Sequence, residues 1–383
     1  MMSKSHAASG SAVLYVGTHR RAHRADPDDI AFGVYRLGLD EDSGTFRALD
    51  MVETPQPGWI AAHPGGQFLY VVNEVRDFEG SEGGGVSAFR IDPDTGALSP
   101  LGSQRTPPLP CHCEVDSSGR WLLAATFGGG TVHLFPLGPD GRIGPQAEVH
   151  RHTGSSVHPR RQTQPHAHAV SFDPAGRFVL VPDLGTDQLR VYAFDADRGS
   201  LTPRPERTAR LAPGSGPRHV AFDAHARFVY LMNEMNATIT TFAYNPADGA
   251  LEQRQSVDLL PEGFAGLRSG AELRVHPNGR FLYATTRSHG SSGEPPVRGL
   301  DSLVWFAIDP ESGLLALRGR TASGGELPRS FTFDAPGERL FIGHQASASI
   351  VTFNIDLQTG TPIPSGERAA APVPVCLVFS SRN

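Results

Sequence analysis

Residues 169–183 read AVSFDPAGRFVLVPD: an apolar run, a tight turn on Asp-Pro-Ala-Gly-Arg, and a second apolar run. The same phrase returns as IAAHPGGQFLYVVNE at 60–74 and LRVHPNGRFLYATTR at 273–287, each followed by a third run closing on a turn such as I-D-P-D-T-G-A-L. The turn positions Gly66, Gly119, Gly176, Ala226, Gly279 and Gly337 are spaced by 53, 57, 50, 53 and 58 residues. A repeat of that length, holding several short strands, is the signature of propeller blades. Apolar residues alternate within the runs, as in V-S-A-F-R-I at 86–91, which is strand periodicity, and no stretch keeps helical spacing. Glycine and proline, 43 and 32 of 383 residues, suit a chain that turns every few residues.

Reading the four strands of a blade as inner, second, third and outer places blade two at Trp59–Thr106, blade three at Cys111–Val149 and blade four at His166–Leu211. Blades five, six and seven follow at Arg218–Leu259, Ala271–Thr321 and Ser330–Pro364. The chain enters on a second strand, Leu14–Thr18, with no inner strand before it, and leaves on an inner-type fragment, Pro374–Ser380. Pairing the two completes a blade and closes the ring without a large free edge. The expected fold is therefore all-β: a seven-bladed propeller of four-stranded antiparallel blades over residues 12–383, preceded by a disordered tail at 1–11. Turns such as 173–177 and 92–98 are short and uniform and mark one rim; the connections 20–32, 76–84, 150–165, 261–269 and 288–301 are long and irregular and mark the other. Variable loops on a rigid scaffold are where function sits, so the second rim is the functional one.

Composition excludes several chemistries. A formal charge of −6 and an isoelectric point near 6.2 argue against nucleic-acid or anionic-membrane partners. No apolar run is long enough to span a bilayer, and the opening MMSKSHAASGSAVLYVGT lacks the apolar segment of a secretion signal. Three cysteines make no disulfide framework, and Cys111 and Cys113, two residues apart on a strand, are expected to share a face. The expectation is a cytoplasmic protein, monomeric or weakly self-associating, that needs no cofactor. Lys4 is the only lysine and lies in the tail, which removes Schiff-base and P-loop chemistry.

Inner strands begin, and second strands end, at the functional rim. Polar residues at those positions converge on the mouth of the central channel: His166 and His168 in QPHAHAV, Arg218 in GPRHVAF, Glu234 in VYLMNEM and Arg287 in LYATTRS. His168 shares a strand face with His166 but lies deeper. The histidines at 150, 152, 158, 166 and 168 raise the question of a metal, but two arginines at the same mouth oppose a cation, and none is expected. Arg160 and Arg161, in the loop over the mouth, either add to anion attraction or are simply solvated.

The stretches PHAHAVSFDPAGRFVLVPDLGTDQLRVY, GSGPRHVAFDAHARFVYLMNE and AELRVHPNGRFLYATTR resemble the seven-bladed propeller lactonases. That family holds propeller-type 6-phosphogluconolactonases and fungal-type carboxy-muconate lactonizing enzymes, and the likeness runs over residues 12–380. It implies a site of His166, Arg218, Glu234 and Arg287, although T-T-R stands where the family has S-N-R. Gly343–Gln345 reads G-H-Q in place of A-N-Q, which would make the mouth more cationic. The implied activity is hydrolysis of an anionic sugar lactone, 6-phosphogluconolactone first. Arg218 and Arg287 would serve the anionic group and the oxyanion, with His168 as a further binding residue. His166 would be the general base and Glu234 its orienter, or those two roles exchanged. The alternatives are ring closure of a carboxy-muconate-type acid and a non-enzymatic ligand-binding propeller.

Overall fold

The computed structural model describes residues 12–19, 33–288 and 300–380. The expected tail at 1–11, the connection 20–32 and most of the connection 288–301 lie outside those residues. Seven four-stranded antiparallel sheets follow one another around a ring. Six are continuous in sequence. The first is composite: Phe46–Glu53, Gly33–Leu39 and Ala12–Thr18 are joined by the C-terminal strand Pro374–Phe379 as its inner member. Leu14 pairs with Phe379 and Thr18 with Pro374, so the chain's last strand closes the ring as its sequence anticipates.

Two blades depart from the expected boundaries. In blade four only Ser171–Phe172 is an ordered inner strand, and a single bridge, Ala167 to Asp183, holds the segment before it. His166 therefore precedes a strand rather than opening one. Asp183 reinforces that bridge: one carboxylate oxygen accepts the amides of His166 (2.9 Å), Gly185 (3.0 Å) and Thr186 (3.2 Å), beside the backbone bonds from His168 N to Pro182 O and from Leu184 N to His166 O, both 2.9 Å. The outer strand of the same blade is interrupted: Ser200–Pro203 gives way to a 3-10 turn at Pro205–Arg207 before Ala209–Arg210 rejoins the third strand. Prolines have no N–H for the ladder, and two of them stand at this break. In blade seven the outer strand runs on to Ala370, beyond Pro364.

The core is a series of apolar layers between neighbouring blades. Tyr230 and Met232 of blade five, for example, pack with Leu282, Val304 and Phe306 of blade six. A recurring hydrogen bond locks these layers. Tyr15, Tyr70, Tyr230 and Tyr283 are fully buried on second strands. Their hydroxyls donate to Gly96, Gly141, Gly313 and Gly360, at 2.8, 3.1, 3.1 and 2.5 Å, in the third-to-outer turn of the following blade. Gly313 holds φ at 69°, and a methyl group there would collide with the ring of Phe228, so glycine is demanded twice at this turn. Tyr230→Phe keeps the packing and strands the Gly313 carbonyl. The expected loss is about 1–3 kcal/mol in equilibrium urea unfolding, and an unchanged midpoint would show that the bond holds nothing.

Cys111, Cys113 and Cys376 are buried and free. The expectation that Cys111 and Cys113 share a face fails. A register shift between Pro110 and His112 inserts an extra residue, so Cys111 reaches the upper channel while Cys113 packs in the core between blades two and three. Among the described residues no helix is long and apolar enough to cross a membrane.

Candidate active site

Two rings of structurally equivalent positions build the site. The first ring lies just past the end of each second strand: His19, Glu74, Phe127, Leu184, Glu234, Arg287 and Gln345, one per blade. Each donates its backbone N–H to a carbonyl ahead of an inner strand, those of Val373, Gln56, Leu109, His166, Gly216, Ser269 and Leu327 in turn. Five of these carbonyl residues hold positive φ: Gln56 (34°), Leu109 (57°), Gly216 (64°), Leu327 (58°) and Val373 (38°). For the non-glycine members this is backbone strain of about 1–3 kcal/mol each, held by the surrounding sheet. Two residues further on stands the second ring: Val375, Gly58, Cys111, His168, Arg218, Ala271 and Arg329. Register shifts between Pro57 and Trp59, Pro110 and His112, Pro217 and His219, and Pro328 and Ser330 place Gly58, Cys111, Arg218 and Arg329 in β-bulges. A bulge frees one residue from the ladder and re-aims its side chain. Here it turns the second ring up toward the first.

Both rings line a cavity of about 200 Å³. Cys111, His168, Arg218 and Arg329 come from the second ring, Glu74, Phe127, Glu234 and Arg287 from the first, and Leu109 and Arg161 complete the wall. Glu234 is the hub. One carboxylate oxygen meets Arg218 Nη1 at 3.0 Å and Arg287 Nη2 at 3.1 Å, with His168 Nε2 at 3.8 Å; the other meets Arg161 Nη1 at 2.8 Å. Burial would push this carboxyl up, but Arg161, Arg287 and Arg218 outweigh it and hold the group well below its ordinary range. Arg218 is pinned further by donating from Nε to Ala271 O (2.7 Å), and its Nη1 lies against His168 Nε2. Arg287 donates to Gly270 O at 3.2 Å and Ser269 Oγ at 3.4 Å. Burial lowers Arg287 to about 9, which leaves it charged at neutral pH.

Across the cavity Arg329 Nη2 lies 3.3 Å from Glu74 Oε2, and His19 Nε2 lies 3.4 Å from the same oxygen. Gly58 makes room for this pair, since a methyl group there would run into the Glu74 carboxylate. Burial drops His19 to about 4, so it is neutral beside Glu74. Four guanidinium groups thus face two carboxylates, and the cavity is cationic.

The sequence-derived residues are not all together. His168, Arg218, Glu234 and Arg287 line the cavity. His166 does not line it: its ring is stacked on the Phe127 phenyl at 4.1 Å, and His168 meets that phenyl edge-on at 5.6 Å. The expectation that the two histidines share a strand face finds no strand there: a single bridge at Ala167 joins them, and only His168 reaches the cavity. His166 Nδ1 lies 2.6 Å from Phe127 O. A carbonyl only accepts, so Nδ1 carries the proton and Nε2 the lone pair. Burial lowers the His166 pKa and the Phe127 carbonyl partly restores it. His168 is held much further down, by burial first and then by Arg218 and His219.

The other histidines of the loop are engaged elsewhere. His150 meets Glu148 at 3.0 Å, and His152 bridges Asp183 and Tyr192 at 2.6 and 2.9 Å. His158 Nδ1 accepts the amides of Arg160 and Arg161 at 3.3 and 3.1 Å, and buried Gln162 bonds Leu184 O at 2.9 Å, which fixes the turn that carries Arg161 over the cavity. No group of three His, Cys, Asp or Glu among the described residues could hold a metal ion. His344 of the G-H-Q segment adds no charge to the mouth: it is buried against Ser323 Oγ (3.1 Å) and lowered to about 4 by burial. Composition did not point to Glu74, Arg329 or His19. The repeat does point to Glu74 and Arg329, since Asn73-Glu74 matches Asn233-Glu234 and Pro328-Arg329 matches Pro217-Arg218.

A larger cavity of about 720 Å³ fills the lower channel, lined by Trp59, His112, His219, Glu272 and Arg274 among others. Its one lining guanidinium, Arg274, lies 4.0 Å from the Glu272 carboxylate, so positive charge is not in excess there. His219 Nδ1 meets Glu272 at 3.1 Å and is lowered to about 4, chiefly by burial, while burial raises Glu114 to about 8. The excess of guanidinium over carboxylate lies in the upper cavity, which therefore has the stronger claim as the site of an anionic ligand.

The family described as "Lactonase, 7-bladed beta-propeller" matches residues 13–379. A 6-phosphogluconolactonase of Bacillus subtilis is 31% identical over 369 residues, 95% of this chain and 97% of that protein. One from Pectobacterium carotovorum is 31% identical over 353 residues, 92% of this chain and 96% of its own length. Among solved structures, a periplasmic gluconolactonase of Pseudomonas aeruginosa superposes with a TM-score of 0.86 at 30% identity, covering 97% of this chain and 99% of that one. Repeat, ring closure and matched length agree: the chain belongs to the seven-bladed β-propeller lactonases.

Proposed function

We propose that the upper cavity hydrolyses an anionic sugar lactone, with 6-phosphogluconolactone as the first substrate. The observation that carries this is a cavity of about 200 Å³ in which Arg161, Arg218, Arg287 and Arg329 outnumber Glu74 and Glu234. Guanidinium forks match phosphate and carboxylate oxygens in pairs and keep their charge when buried.

Water gives a proton to the general base and attacks the lactone carbonyl carbon; the ring C–O bond then breaks, the ring oxygen takes that proton back from the base to become a hydroxyl, and the new carboxylic acid ionises. Arg218 and Arg287, locked by Glu234 and by backbone carbonyls, stabilise the oxyanion without reorganising. Glu234 is too strongly held as an anion to be a useful base, so its role is to fix the two arginines. His168 has its lone pair turned to Arg218 and contributes to binding. His166 lies across Phe127 from the cavity, and it is assigned as the general base for a water held at that edge, because its tautomer is fixed with Nε2 free of the proton and its pKa is the less depressed of the two imidazoles. A cytoplasmic location belongs to the same proposal, and the three buried free thiols are compatible with it.

The test is a panel of phosphorylated and unphosphorylated aldonolactones, with muconolactones alongside, following acid release above the spontaneous rate. Faster turnover of phosphorylated aldonolactone is the expected result. Turnover confined to muconolactone, or ring closure of muconate acids alone, would overturn it.

A further inference from the structure

The four arginines fall into two kinds. Arg218 and Arg287 are 2% and 6% exposed and are tied to Glu234 and to backbone carbonyls of blade six. Arg161 and Arg329 have side chains 14% and 17% exposed, and each is held through one guanidinium nitrogen to one carboxylate, Glu234 Oε1 and Glu74 Oε2. They approach the cavity from opposite sides, one from the loop before blade four and the other from the bulge of blade seven. A guanidinium bears five N–H donors in a fixed fork, so each retains donors for an incoming anion.

We propose that Arg161 and Arg329 form a two-sided clamp for the phosphate monoester of the substrate and set the preference for phosphorylated lactone, while Arg218 and Arg287 work at the lactone carbonyl. This rests on the lactonase reading of the cavity. The division follows from what each task needs. A developing oxyanion requires donors that are already fixed, which describes the pair on Glu234 and the backbone. A phosphate dianion arriving from solvent requires charge that can be reached and turned, which describes the pair held by single contacts. Two cations left over after Glu74 and Glu234 are neutralised match the two charges of a phosphate monoester near neutral pH. Glu74, with neutral His19 behind it, keeps the Arg329 fork in place in the free enzyme and accepts its remaining N–H once the anion binds.

The experiment measures kcat and KM of the wild type, Arg329→Ala, Arg161→Ala and Arg287→Ala on a phosphorylated aldonolactone and on the same lactone without phosphate. For Arg329→Ala and Arg161→Ala the ratio of the two kcat/KM values should fall roughly 10- to 100-fold, mostly through KM of the phosphorylated substrate. Arg329→Lys should recover part of that ratio, because charge returns without the fork. Arg287→Ala should slow both lactones together and leave the ratio unchanged. A parallel arm titrates inorganic phosphate into each protein by calorimetry. If the wild type hydrolyses the phosphorylated lactone and neither rim variant alters the ratio, the clamp is overturned and the lactonase reading stands. If neither lactone is turned over but phosphate binds and the rim variants abolish that binding, the lactonase reading fails and the clamp stands. Phosphate binding that survives both rim substitutions overturns the clamp in either case.

Discussion

Glu234→Ala is expected to yield a protein that unfolds markedly more easily and has lost nearly all turnover. The carboxylate is 2% exposed and is the shared partner of Arg161, Arg218 and Arg287. Removing it leaves three guanidinium groups around one cavity with their common counter-charge gone. Breaking a buried ion pair by deleting one partner costs about 3–5 kcal/mol, chiefly through the charge left behind. Activity falls by a separate route: Arg218 and Arg287 lose the anchor that aims them, and losing a single aimed oxyanion donor already costs about 10²- to 10³-fold in kcat. Glu234→Gln separates the two effects. It keeps the shape and one acceptor, so it should fold better than the alanine variant and still turn over slowly. The pH dependence has a definite sign. The folded-state pKa lies well below the ordinary glutamate value of 4.5, so this group's contribution to stability is fully present above about that pH. It is lost only as the pH falls through the depressed value. Wild-type unfolding free energy should therefore drop more steeply in acid than that of Glu234→Gln. Parallel curves for the two proteins would show that Glu234 is not the stabilising anion proposed here.

How much of this was legible in the sequence depends on what repeats. The D-P-x-G-R turns and the F-L-Y-V strands carry the blade count, and the unmatched Leu14–Thr18 and Pro374–Ser380 carry the closure, because strand pairing is written in apolar alternation and turn chemistry. Arg218, Glu234 and Arg287 were legible for a related reason: strand direction fixes which end of each strand meets the channel. The bulges were not. A strict period of two puts Cys111 with Cys113 and His166 with His168; a bulge separates the cysteines, and of the two histidines only His168 lines the cavity. The signal for a bulge is a proline at the start of an inner strand followed by a residue unlike its neighbours, as in Pro217-Arg218 and Pro328-Arg329. Read across blades, that pattern leads to Arg329, and its second-strand counterpart Asn73-Glu74 leads to Glu74. Arg161 has no counterpart in another blade. It sits in an irregular connection whose path is set by buried Gln162 and by His158, long-range contacts that local patterning does not encode.

His166→Ala should lower kcat by roughly 10²-fold or more, the scale of general-base catalysis, with KM little altered. The assignment turns on which lone pair can take a proton. In His168 the Nε2 lone pair faces the Arg218 guanidinium, and burial together with that charge holds the imidazole well below its ordinary 6.5. In His166 the Nδ1 proton is committed to the Phe127 carbonyl, leaving Nε2 as the acceptor, and burial lowers the pKa with that carbonyl partly opposing it. A base must be unprotonated to act, and a lowered pKa keeps it so to more acid pH. The acid limb of kcat/KM should accordingly lie below pH 6.5 in the wild type and disappear in His166→Ala. His166→Asn supplies the control, since its amide can still donate to the Phe127 carbonyl but has no basic nitrogen. If the ring matters only by bracing Phe127, the asparagine variant will recover activity; if it is the base, the variant will be as slow as alanine. Both arms are read against the spontaneous opening of the lactone, which itself rises with pH. An acid limb that persists in His166→Ala and vanishes in His168→Ala would move the base to the residue lining the cavity. In that case the Arg218–His168 contact of the free enzyme must open when substrate binds, with Arg218 turning to the lactone oxygen and releasing the imidazole lone pair to the attacking water.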